Sequence, residues 1–185
     1  MTREEGLALV KQHIKNENSA KHMLATEAIM RCLARRFKEN EDSWGLAGLM
    51  HDMDMEIVDY RINPEKQGQV AAEMLSKMGV DGEITEAIRA HNPATGKVAE
   101  TLFEKAIYAT DPLTGLIVAS TLILPSRKIT DLTAESVLKR FKEKSFAKGA
   151  RRDDIAACDK IGLPLEEFVA IGLEAMKEIS EELGL

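Results

Sequence analysis

Between Asn16 and Phe37 the residues Met23, Leu24, Ala28, Cys32 and Leu33 recur mostly at intervals of three and four. This is the period of an amphipathic helix, and it limits what the chain can become more than any other feature. Comparable segments follow one another, each bounded by Gly, Pro or short polar turns, and β-branched runs are scarce. Nine Met stand against only five Phe, two Tyr and one Trp, so the core is expected to be built from flexible aliphatic side chains on helices. At 185 residues and about 150 per domain, the expectation is an all-α fold. It would be a single compact multi-helix bundle over 1–185, with the informative motifs in about 19–119 and a helical extension over about 120–185.

The spacing predicts helices over about 3–15, from Asn18 or Ser19 as N-cap to Phe37, and from Asp42 or Ser43 as N-cap to Met50. A loop is expected over 54–64, then a helix opened by Pro64 and stopped by Gly79, then one from Asp81 or Gly82 to His91. Pro93 disfavours helix in the residue before it. A further helix is expected over about 98–110, with Asp111-Pro112 breaking it before the apolar stretch 113–124. Helices over 133–142, 152–159 and 164–183 complete the chain, the last with Leu165, Phe168, Val169, Gly172, Met176, Ile179 and Leu183 in one stripe.

The 31 acidic residues outnumber 25 Lys and Arg, for a formal charge of −6, which disfavours nucleic acid as a partner. The basic run from Arg140 to Arg152 is therefore read as a solvated helix face with Phe141 and Phe146 turned inward. Cys32 and Cys158 lie far apart with no metal-type spacing, which fits a reducing compartment. The first residues lack the apolar stretch of a leader, and 116–124 is too short to span a membrane. A cytoplasmic protein with no membrane partner is expected, and a homo-oligomer is compatible with the sequence.

Four histidines occur in the chain, and His13 reads as a solvated residue on a polar helix. The others are placed differently. His22 lies early in an amphipathic helix, His51 is followed directly by Asp52, and His91 closes a helix, each beside apolar residues. Any one alone is as readily a hydrogen-bonded core histidine. Adjacent helical residues project roughly 100° apart, so at a helix end His51 and Asp52 can converge on one ion.

The series His22, His51-Asp52, His91 and then Asp111 in Ala-Thr-Asp111-Pro-Leu-Thr, within a helical chain, resembles the His-Asp (HD) superfamily of metal-dependent phosphohydrolases. Its pattern is H…HD…D, with a further histidine in many members. The resemblance implies that His22, His51, Asp52 and Asp111 ligate one divalent transition metal (Mn, Fe, Co, Ni or Zn), around the motif Gly48-Leu-Met-His51-Asp52-Met-Asp54. His91 matches the extra histidine. Similar sequences are often labelled HDIG, although Met53-Asp54 stands where Ile-Gly would be. Members with two metals carry another histidine where this chain has Gln67-Gly68, and an amide is a poor ligand beside an imidazole, so a second metal would be short of a ligand. The Gly-Tyr-Pro signature of cyclic-dinucleotide phosphodiesterases is absent. Met55-Glu56 stands where (p)ppGpp hydrolases have Glu and Asp.

The resemblance implies hydrolysis of a phosphate ester of a nucleotide or similar small phosphorylated metabolite, with metal-bound water as the nucleophile. The alternative is a non-catalytic binding or interaction module that retains a metal. Arg61, Lys66, Arg89 and Lys97 flank the motif residues and are candidate substrate-binding cations. Asp54 and Glu56 are candidates for orienting the site or donating the leaving-group proton, and His91 for contacting phosphate or water.

Overall fold

Capping side chains set where the helices begin. The computed structural model describes all 185 residues and contains ten α-helices and no strand. They are α1 (Arg3–His13), α2 (Glu17–Phe37), α3 (Glu41–Met50), α4 (Gln69–Lys77), α5 (Gly82–His91), α6 (Leu102–Leu122), α7 (Ala134–Lys142), α8 (Arg152–Ala156), α9 (Leu165–Glu178) and α10 (Ser180–Leu183). Thr2 with Glu5 and Thr101 with Glu104 form reciprocal capping boxes at α1 and α6. Asn16 and Asn40, two residues before the caps expected for α2 and α3, hold the first N–H groups of those helices. The all-α expectation therefore holds, with boundaries shifted.

α2 lies at the centre, packed on α3, α6 and α9, while α5 bridges α4 and α6. Its crossing with α3 is unusually close. A methyl group on Gly48 would stand 2.9 Å from backbone atoms of Thr26 and Glu27, so only glycine allows the two helices to meet there. That approach puts His22, one turn before Thr26, beside His51, three residues after Gly48.

Three segments depart from the sequence reading. α6 runs unbroken through Pro112. An interior proline costs about 3 kcal/mol, but Leu113, Leu116 and Ile117 beyond it are wholly buried and contribute about 1.5–3 kcal/mol each. Burial wins, and Asp111 lies inside the helix instead of at its end. The expected helix from Pro64 is divided into a 3₁₀ turn, Pro64–Lys66, and α4, because Gly68 takes φ 79°. The last helix is interrupted at Ile179 between α9 and α10.

The C-terminal third shares the core with the rest, since Phe168, Leu173 and Met176 are buried in the same cluster as Met23, Ile29 and Leu49. The basic run is not a simple solvated face. Arg152 donates to the carbonyls of Phe141, Ala147, Ala150 and Phe146 at 3.0, 3.1, 2.5 and 2.6 Å, tying 141–150 into a compact loop. No helix is long and apolar enough to cross a membrane.

Two glycine substitutions are expected to act in opposite directions. Gly48→Ala adds helix propensity of about 1 kcal/mol but forces a methyl into α2 backbone that cannot turn aside, so thermal and urea unfolding should show net destabilisation of about 1–3 kcal/mol. At Gly115 an added methyl meets nothing within 4 Å, and Gly115→Ala should stabilise by about 0.5–1 kcal/mol.

Candidate metal centre

Three imidazoles from three helix positions point one nitrogen each into a common site. His51, the residue that ends α3, donates Nδ1–H to the Gly48 carbonyl at 2.8 Å, and His91, at the end of α5, donates Nδ1–H to the Ile88 carbonyl at 2.6 Å. A carbonyl only accepts, so both rings must be protonated at Nδ1, which leaves Nε2 as an acceptor when they are neutral. His22, in the second turn of α2, is oriented by Thr114. The Thr114 hydroxyl gives its proton to the Asp111 carbonyl at 2.8 Å and accepts from His22 Nδ1 at 2.8 Å. The Nε2 atoms of His22 and His51 are then 3.1 Å apart.

Carboxylates complete the set. Asp52 Oδ2 lies 3.4 Å from His51 Nε2 and 3.6 Å from His22 Nε2, and Asp111 Oδ1 lies 3.1 Å from His22 Nε2 and 3.7 Å from His51 Nε2. Asp52 Oδ1 turns away, toward the Gln67 amide at 2.7 Å and His91 Nε2 at 3.4 Å. His51, Asp52 and His91 are buried. Burial opposes ionisation of both aspartates, yet the surrounding imidazoles outweigh it and hold Asp52 and Asp111 below the ordinary carboxylate range. For His51 and His91 burial likewise opposes charging, and the two carboxylates prevail, so both pKa values are raised.

Ligand atoms of His22, His51 and Asp52 all fall within 4.8 Å of one another, close enough to share an ion. Two bare imidazole lone pairs at 3.1 Å repel each other unless a cation or a proton lies between them. Donors at right angles around an ion with bonds of about 2.1 Å stand roughly 3 Å apart, so the observed spacings need only small contractions. The mixed nitrogen and oxygen set suits first-row divalent metals. The residues present fit such an ion.

Asp54 and Glu56 have other work. Asp54 Oδ2 accepts from the N–H groups of Gly68 and Ala71 at 2.8 Å each, capping α4 from a wholly buried position. Its pKa is raised, by burial first and then by the charge of Asp52, with the two N–H groups opposing. Glu56 Oε1 accepts from the N–H groups of Lys15 and Asn16 at 2.8 and 2.7 Å and so fastens the turn between α1 and α2. These contacts make both residues anchors of the surrounding backbone.

The expected cations are also largely engaged elsewhere. Arg89 pairs with Glu86, and Lys97 pairs with Glu104 at 2.9 Å and Glu86 at 3.3 Å. Arg61 is exposed with its guanidinium over the Tyr60 ring at 5.9 Å. Lys66 is exposed, one residue before Gln67. The cation that reaches the centre is Arg151, whose Nη2 lies 3.4 Å from Asp111 Oδ2. Arg151 also pairs with Asp154, which accepts from the Tyr108 hydroxyl at 2.6 Å. Burial and then Asp154 push the Tyr108 pKa up to about 12, so it remains a donor. No local pattern identifies Arg151, which is 40 residues from Asp111. Thr114 did carry a signal, three residues after Asp111, but only for a helix continuing through Pro112.

The HD domain family model matches residues 19–117. No curated protein and no solved structure matches the chain.

Protons and metal compete for the same nitrogens, since ligation requires neutral imidazole. With the His51 pKa raised above the ordinary 6.5, metal affinity should already weaken as pH falls toward that value and be lost well below it. Calorimetric titration with Mn²⁺ or Zn²⁺ in two buffers of different ionisation enthalpy should show proton release on binding near neutrality. Affinity that stays level from pH 8 to 5 would exclude these imidazoles as ligands.

Proposed function

The chain belongs to the HD-domain family, and on that premise we propose that it is a phosphohydrolase cleaving the phosphate ester of a small metabolite, nucleotides included, with one divalent metal held by His22, His51, Asp52 and Asp111. The observation that carries this reading is the convergence of two Nε2 atoms at 3.1 Å, each ring's Nδ1 committed as a donor. When bound, the cation would polarise a phosphoryl oxygen and lower the pKa of its water toward about 7.

The protein's own groups do the remaining work. Thr114 and the Gly48 carbonyl hold the two imidazoles in the ligating tautomer and prevent their rotation. Asp52 divides its oxygens, with Oδ2 toward the imidazole pair and Oδ1 toward Gln67 and His91. His91 places Nε2 3.4 Å from Asp52 Oδ1 and, with its Nδ1–H held by the Ile88 carbonyl, steadies that carboxylate. Arg151 is half exposed beside Asp111 and can direct its free N–H groups at a phosphoryl oxygen. The Gln67 amide on Asp52 Oδ1 favours a single metal, because a second ion would have to displace that hydrogen bond.

Elemental analysis of purified protein should find about one first-row metal per chain, and Asp52→Ala should lose it. Gln67→His should raise the content toward two. Arg151→Ala should keep the metal and lower turnover about 10- to 100-fold, the effect of removing a charged hydrogen-bond donor. Turnover is measured on nucleotides and simple phosphate esters with Mn, Co or Ni. Metal-loaded protein inert on the whole panel would support a binding module instead.

A further inference from the structure

The centre is open on one side only. His51, Asp52 and His91 are at most 3% exposed, whereas His22 and Asp111 reach 24% and 17%. A substrate must therefore arrive over His22 and Asp111. Arg151 borders Asp111, and on the His22 side lies a cavity of about 470 Å³ whose wall includes His22 and its partner Thr114. The other large cavities, beside Trp44, beside Tyr108 and beside Arg3, contain none of the five residues of the centre.

The chemistry of this cavity is distinctive. Val118, Ala119 and Leu122 of α6, with Leu183 and Leu185 of the C-terminal turn, supply its apolar surface. It contains no Phe, Tyr or Trp for a base to stack on and no Asp or Glu; its polar side chains are Asn18, Lys21, His22 and Thr114, of which His22 and Thr114 are bonded to each other at the centre. Gly115 lies in the wall with open space where a side chain would stand. A volume of this size suits a small organic ligand. Nucleobase recognition draws on stacking rings and convergent polar groups, and beyond the two residues turned to the centre this wall offers only Asn18 and Lys21 beside five apolar side chains, while an alkyl group gains about fourfold in affinity for each methylene it buries.

We propose that this cavity receives the alkyl portion of the substrate, so that the preferred substrates are phosphate monoesters of aliphatic alcohols. The proposal rests on the phosphohydrolase reading, because that reading puts the phosphate on the neighbouring metal. Gly115 and Ala119 then set the length of chain accepted.

The test uses the metal-loaded full chain and two series, alkyl phosphates for turnover and alkylphosphonates, which have no ester bond, for binding, from ethyl to octyl. Phosphonate affinity should rise by up to about fourfold per methylene until the cavity is filled. The rise should flatten in Gly115→Leu and, as a second variant on the same face, in Ala119→Leu, with metal content confirming the fold. No dependence on length in the unsubstituted protein, or no phosphonate binding, overturns the proposal. So does tighter binding of a nucleoside monophosphate that neither variant disturbs. Turnover of all esters without length dependence leaves the hydrolase reading standing and the cavity assignment lost; length-dependent binding with no turnover does the reverse.

Discussion

The contact of α2 with α3 at Gly48 is the constraint on which the rest of the centre depends. Two helices bearing ordinary side chains keep their axes 8–10 Å apart, and at that separation His22 and His51 could not bring their Nε2 atoms to 3.1 Å. The missing side chain at Gly48 lets backbone meet backbone at Thr26 and Glu27. The same residue also supplies the carbonyl that holds the His51 tautomer. One glycine thus serves both the spacing of the pair and its protonation.

Around this contact the polar groups are buried in a manner that only their mutual arrangement makes tolerable. Two carboxylates and three imidazoles in an apolar bundle would each be costly alone. Together they neutralise one another, with Gln67, Thr114 and two backbone carbonyls taking up remaining hydrogen-bonding capacity. The opposing pKa shifts of the aspartates and of His51 and His91 express the same attraction seen from both partners. A metal would replace the shared protons with a larger charge, which is why metal affinity and pH are linked.

The last third of the chain carries no motif, yet it contributes to the site in two ways. Arg151 and Asp154 extend from the Arg152-centred loop to Asp111 and Tyr108, and Leu183 and Leu185 form part of the cavity beside His22. Both contributions come from folding a distant segment back on α2 and α6.

Helical period and the spacing of His22, His51-Asp52, His91 and Asp111 were legible in the sequence because each is a local property or a pattern of rare residues, whereas the caps of α2 and α3 fall on Asn16 and Asn40, ahead of the expected residues. Sequence alone therefore determined a helical chain with a clustered His and Asp set. Tertiary structure alone decided that α6 continues through Pro112, because the benefit of burying Leu113, Leu116 and Ile117 is absent until a core exists to receive them. It likewise decided that Asp54 and Glu56 cap backbone, that Glu86 and Glu104 occupy Arg89 and Lys97, and that Arg151 reaches the centre. The role of a charged side chain follows from which donors and acceptors come within about 3 Å of it, and for these residues packing between distant segments of the chain supplies that neighbourhood.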